Sequence, residues 1–208
     1  NPHFIFNCLN SIQSFVIRHD VEGASRYLSG FASLIRQTLD NSSEEMIAVS
    51  SEIRYIETFL LLEKTRLENK FDYRVTVNGL ADPHAVMIPA MLVQPYVENA
   101  IRHGIQHLTG RRGMVTVDFN GSAEGDLVCT VTDNGVGRKR AAELKSKQHI
   151  EYMSKGTAIT AKRMEVLNNQ YNTNIRVETT DMPEQDGEPR GTAVVIVFPG
   201  FVKKTDTV

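Results

Sequence analysis

The 208 residues are 41% hydrophobic and 23% charged, an ordinary globular balance with room for one large domain or two small ones. With 23 basic against 25 acidic residues and a net charge of -2, the chain lacks the basic surplus of a nucleic-acid binder. Its two cysteines, Cys8 and Cys129, form no CxxC pair, which argues against a zinc knuckle or a disulfide framework and fits a reducing compartment.

No apolar run reaches the roughly 20 residues of a membrane helix, and no signal peptide is visible. The sequence opens inside a patterned segment, "NPHFIFN", and so reads as a piece of a longer chain with room upstream for a sensory or membrane-spanning part. Residues 4–40 carry apolar side chains at helical spacing, with a break at His19-Asp20. Asp40-Asn41-Ser42-Ser43 reads as a stop and turn. Ser50-Ser51-Glu52 offers caps and early negative charge to a helix that carries Ile53, Ile56, Phe59, Leu60 and Leu67 and runs to about Asn69.

The texture then changes. "FDYRVTVNG" alternates polar and apolar residues and reads as a strand. "IPAMLVQPYVENAIRHGIQHL" reads as helix, broken or started near Pro95. "GMVTVDFNG" and "DLVCTVTDNG" read as a hairpin, and residues 138–155 as a charged loop with a short helix. "TAITAKRMEVLNNQY" is an amphipathic helix, followed by the strands "NIRVETT" and "GTAVVIVFP". Residues 1 to about 70 are therefore expected to be all helix, and residues 71–208 an α+β unit rather than a parallel sheet. The helices of the first part bury too little alone, so a four-helix bundle across a dimer is expected.

Four stretches of the second part carry candidate chemistry. In "ENAIRHG", Asn99, Arg102 and His103 fall three and four residues apart, a helical face suited to a metal–triphosphate; a solvated polar stripe is the plainer reading. In "DNGVG", Asp133 ends a strand and can accept a hydrogen bond from an exocyclic amine, as on adenine, while Gly135 and Gly137 let backbone pass close to a planar ring. An ordinary Asp-Asn-Gly turn is the alternative. "KGTAI" puts Lys155, Gly156 and Thr157 at a helix start, where backbone N–H groups bind phosphate or simply cap the helix. Gly191-Thr192 opens an apolar strand, with a hydroxyl able to reach the same base. His103 and His107 have the spacing of a zinc-protease helix, but Gly104 stands where that motif needs Glu, so a metalloprotease is set aside.

In this order, and together with "NPHFIFN" and "QPYVENAIRHG", the stretches resemble a LytS-type sensor histidine kinase with a Bergerat-type ATP-binding domain, over nearly the whole chain. The resemblance implies helical dimerisation and phosphoacceptor residues 1–70 and an ATP-binding catalytic unit over 71–208. It makes His3 the phosphoacceptor and Asn99 the Mg²⁺ ligand on the nucleotide. Arg102 and His103 lie near the phosphates. Asp133 reads adenine beside Gly135 and Gly137, Gly156 and Thr157 line the phosphate side, and Thr192 completes the adenine side. Residues 138–155 become a lid. Ala158 departs from the usual Gly-x-Gly-Leu, which is expected to weaken the phosphate loop.

The resemblance implies ATP and Mg²⁺ as cofactors, a homodimer, a response-regulator receiver as partner, no nucleic acid, and a cytoplasmic location with any membrane anchor upstream. An unperturbed imidazole is neutral enough at cytosolic pH to attack phosphorus. Asn7, one turn from His3, would orient the ring, and Glu98 would take its proton. Pro2 is expected to kink the helix beside His3. The rival readings are an ATP hydrolase or nucleotide switch on the same fold, and a non-catalytic dimeric scaffold. Gyrase-like relatives place a water-activating Glu one turn before the Asn, where this chain has Pro95, which favours transfer to His3.

Overall fold

The computed structural model describes residues 2–143, 162, 164–183 and 190–202, and for residues 2, 3 and 142 the backbone only. Three helices come first: α1 (Pro2–Ile17), α2 (Val21–Ser43) and α3 (Val49–Arg66). His19 takes a φ of 57° and breaks α1 from α2. Asp20 then caps α2 by accepting the Gly23 N–H at 2.8 Å. Because α1 opens at Pro2, the kink expected beside His3 is not tested by the described residues.

Three local expectations are corrected. Asp40–Ser43 forms the last turn of α2, where the Ser42 and Ser43 hydroxyls donate back to the Leu39 and Asp40 carbonyls. The first part is not all helix. A short strand β1 (Met46–Ala48) pairs antiparallel with β3 (Met87–Pro89), in the stretch read as helix from Ile88 onward. Nor do Ser50 and Glu52 cap α3, whose N-cap Ala48 has no side-chain bond. The Ser50 hydroxyl meets His84 Nδ1 at 2.9 Å, and Glu52 is turned toward a different helix.

That helix is α4 (Gln94–Asn99), continued by a π-helical turn (Ala100–Ile105). The sheet is built from β2 (Phe71–Asn78), β4 (Gly113–Gly121), β5 (Leu127–Asp133), β6 (Arg176–Asp181) and β7 (Thr192–Phe198). Its order is β2-β4-β5-β7-β6. Every pairing is antiparallel except β2 with β4, which runs parallel, so the sheet is mixed and the whole is α+β. Between β5 and β6 lie α5 (Gly137–Glu143) and a helical stretch at 164–171.

One face of the sheet is covered. Val115, Val117, Phe119, Leu127, Cys129, Ile196 and Phe198 alternate onto it and are buried, with the π-helical turn packed on β4 and β5 and α3 on β2. The core is continuous from Cys8, Tyr27 and Leu34 in the first helices to Phe198 in the last strand. α3 joins the two ends, with Tyr55, Ile56, Phe59 and Leu60 all buried. Phe4 ties the start of α1 to this core, its ring centroid 5.5 Å from Phe59 and 6.4 Å from Phe31.

Candidate functional site

Strand register places the acid. Asp133 is the last residue of β5, and its register partner on β7 is Thr192. The two side chains therefore share the covered face of the sheet. Asp133 is only 5% exposed. Its Oδ1 accepts the Gly135 N–H at 2.8 Å, and the Thr192 backbone also donates to it. Burial pushes its carboxyl up to about 6, against the lowering pull of those two N–H groups and of the Arg111 charge; Asp181 adds a little in the upward direction. Arg111 also donates to the Gly135 carbonyl at 3.1 Å, so it braces the loop that bonds the acid.

Three glycines make room here. A Cβ on Gly104 would lie 2.3 Å from Asp133 Oδ1, and a Cβ on Gly135 would lie 2.3 Å from the Gly104 backbone. A Cβ on Gly191, where φ is +99°, would lie 1.9 Å from the Asp133 carbonyl oxygen. The Cβ direction of Gly135 is thus taken by the Gly104 backbone, so glycine is needed there for that close approach. Gly137 is buried at a φ of 72° and starts α5 from a conformation that glycine adopts without strain.

The asparagine stretch is reshaped by the π-helical turn. Gln106 N–H bonds the Ile101 carbonyl at 2.8 Å, five residues back, so α-helical spacing does not carry across it. Asn99, at the end of α4, and Arg102 are half-buried, whereas His103 is buried at 9% exposure. Of the three, Asn99 and Arg102 keep part of their surface open while His103 is the most enclosed. The turn brings Gly104 onto Asp133, and the Gly104 carbonyl accepts the Val136 N–H at 3.2 Å, joining the asparagine and aspartate stretches. Glu98 receives a hydrogen bond from Gln94 Nε2 at 3.0 Å.

Asn7 is half-buried on α1, and its carbonyl accepts the Ser11 hydroxyl at 3.0 Å. His3 lies in the first turn of α1. Gly156 and Thr157, with Lys155 and Ala158, lie outside the described residues, as does the lid beyond Glu143. Among the described residues no cluster of three or more His, Cys, Asp or Glu side chains makes a metal site, and no helix is long and apolar enough to cross a membrane. A cavity of about 260 Å³ lies elsewhere, between α1, α2 and α3, lined by Phe15, Tyr27, Gly30, Leu61 and Leu62 among others.

A family model for histidine kinases matches residues 1–71. Sensor histidine kinase BtsS of Escherichia coli is 34% identical over 137 residues, covering 64% of this chain and 23% of that protein. Sensor protein LytS of Staphylococcus haemolyticus is 33% identical over 137 residues, covering 66% of this chain and 23% of that protein. Residues 1–71 of this chain thus match the histidine kinase family, and about two thirds of the chain is similar to sensor histidine kinases. It spans about a quarter of the length of the curated relatives it matches. Among solved structures, a mycobacterial sensor histidine kinase, MprB, overlaps with a TM-score of 0.46 at 20% identity, over 76% of this chain and 99% of that one. The histidine kinase domain of an Erythrobacter litoralis blue-light activated kinase gives 0.46 at 15% identity, over 88% and 82%.

Sequence reasoning missed two residues of the site. In the sequence Gly104 stands out only as the residue that spoils a zinc-protease motif. A glycine inside a helix, where it costs about 1 kcal/mol against alanine, was the available signal. Arg111 sits in a loop whose fold the sequence does not announce.

Proposed function

We propose that this chain is the kinase core of a two-component sensor histidine kinase. Residues 1–70 form the dimerising phosphoacceptor unit and residues 71–208 the ATP-binding unit. The observation that carries the reading is Asp133: a buried carboxylate at a strand end, register-paired with Thr192 and closely packed by Gly104. A buried acid at a strand end, still mostly ionised at neutral pH, is a candidate ligand contact, and an exocyclic amine donating to the carboxylate suits it.

Asp133 and Thr192 would hold the adenine side of ATP, with Arg102, His103, Gly156 and Thr157 toward the phosphates. Mg²⁺ keeps several waters and leans on the substrate phosphates, so the side-chain oxygen of Asn99 would be its contact with this chain. When bound, the ion offsets charge on the transferring oxygens. A ring nitrogen of His3 attacks the γ-phosphorus; an N–P bond forms and the bond to the ADP oxygen breaks. Asn7 orients the ring and Glu98 takes its proton. The phosphoryl group then passes to an aspartate of a receiver protein. Pairing with a second copy is supported by apolar side chains left exposed along α1 and α2, among them Phe6 at 64%, Ile17 at 70% and Leu39 at 64%.

Incubation with γ-labelled ATP and Mg²⁺ tests the reading. Label that survives alkali, is lost in acid and disappears in His3→Gln is the expected result. Release of free phosphate untouched by His3→Gln would make the chain a hydrolase instead. Nucleotide binding with neither product would make it a scaffold.

A further inference from the structure

Glu98 does not stand alone on α4. Gln94, one turn before it and 7% exposed, is the centre of a buried polar group drawn from two helices. Its backbone N–H donates to Glu52 Oε1 of α3 at 3.1 Å, so a carboxylate from α3 caps a helix whose own N-cap residue, Val93, offers none. Its side-chain Nε2 donates both hydrogens: one to the Tyr55 hydroxyl of α3 in a short bond, the other to Glu98 Oε1 at 3.0 Å. Tyr55 is 3% exposed. Burial, followed by the nearby Glu98 charge, raises its phenol well above the usual range, so it stays protonated, with Thr38 of α2 beside it.

An exposed Gln–Glu pair one turn apart adds little to a helix. This one differs in two ways. The amide is buried, where every polar atom must be matched. Its orientation is also fixed, because a flipped amide would turn its oxygen onto the Glu98 carboxylate. From this geometry we infer that Gln94 is a positioning residue: its amide, locked by Tyr55, holds the Glu98 carboxylate in place for proton transfer. The inference rests on the proposed kinase reading and on Glu98 as proton acceptor.

The test measures labelling of the whole chain at varied ATP and pH. Gln94→Glu keeps the shape but replaces the donor with a second carboxylate. It is expected to lower kcat about tenfold to a hundredfold with KM for ATP changed less than about twofold. The ratio of its rate to wild type should rise as pH falls from about 8 to about 6, because the introduced carboxyl regains a proton to donate. Gln94→Met should lose as much kcat without that recovery. Tyr55→Phe, which deletes one oxygen and keeps the ring in place, should lose several-fold in kcat and serves if either Gln94 variant fails to fold. Unlabelled wild type would overturn the kinase reading and the inference together. Labelled wild type with any folded variant matching its kcat, or a Gln94→Glu ratio independent of pH, would overturn the inference alone.

Discussion

Asp133→Asn separates stability from binding, and the structure gives the sign of each. The carboxyl has a usual value of 3.8 and is pushed up to about 6 in the fold, chiefly by burial. An acid with a raised folded value holds its proton more tightly when folded than when unfolded. Its stabilising contribution is complete below about 3.8 and is lost as pH rises through about 6. The difference of about 2 units corresponds to about 3 kcal/mol, which the ionised wild type forgoes at neutral pH. Asparagine cannot ionise, and its carbonyl can still accept the Gly135 N–H. Asp133→Asn should therefore be more stable than wild type near pH 7, by up to about 3 kcal/mol, with the difference shrinking toward zero near pH 4. Urea titrations across that range give the stability curve, and nucleotide titration at neutral pH gives the second readout. Binding should weaken markedly, because the amide presents a donor where a base amine needs an acceptor. A variant that is less stable than wild type by the same amount at every pH would refute the electrostatic account. Unchanged nucleotide affinity would remove Asp133 from the adenine side.

Three further substitutions probe how the molecule is built. Gly104→Ala would place a Cβ 2.3 Å from Asp133 Oδ1 in a crowded spot, so it should cost about 1–3 kcal/mol in denaturant titration and lower nucleotide affinity. Gly110→Ala is its control: φ is +76° but nothing lies within 4 Å, so only a backbone cost of about 1 kcal/mol is expected and binding should not change. Phe4→Ala removes the ring that pins the first turn of α1 to Phe31 and Phe59. It should cost about 1–3 kcal/mol and lower labelling of His3 while nucleotide affinity holds; a matched fall in affinity would contradict the separate roles of the two parts.

Much of the fold was legible because it rests on long periodic segments. "GMVTVDFNG" alternates so regularly that strand β4 occupies the same nine residues, Gly113–Gly121. The break at His19-Asp20 and the hairpin of β4 with β5 were equally plain. What escaped was set by partners distant in sequence. β1 and β3 have three residues each, too few for a pattern, and pair across some 40 residues. Glu52 reads locally as a first-turn acid of its own helix, yet its carboxylate serves α4. The π-helical turn has no spacing signature at all. It exists where Gly104 must meet Asp133, a contact between residues that the sequence keeps 29 positions apart. Asp133 itself was legible as a candidate because strand-then-turn is a local pattern; the glycine that lets it be buried was not.

The position of α3 gives these details a common consequence. One side of this helix packs on α2, and the other on β2 and α4. Its polar side chains Glu52 and Tyr55 point into the α4 side, where they hold the backbone and side chain of Gln94. Its apolar side chains Phe59 and Leu62 face the first helices, Phe59 against Phe4 and Leu62 within 3.1 Å of where a Cβ on Gly30 would stand. A rotation of α2 over α3 would therefore meet close packing at Gly30, and α3 has few ways to yield without disturbing the Gln94 group. Packed cores switch between discrete arrangements rather than deforming smoothly. α3 therefore ties the packing of the first helices to the Gln94 group that holds Glu98, so a substitution that loosens the α2–α3 contact is expected to disturb both.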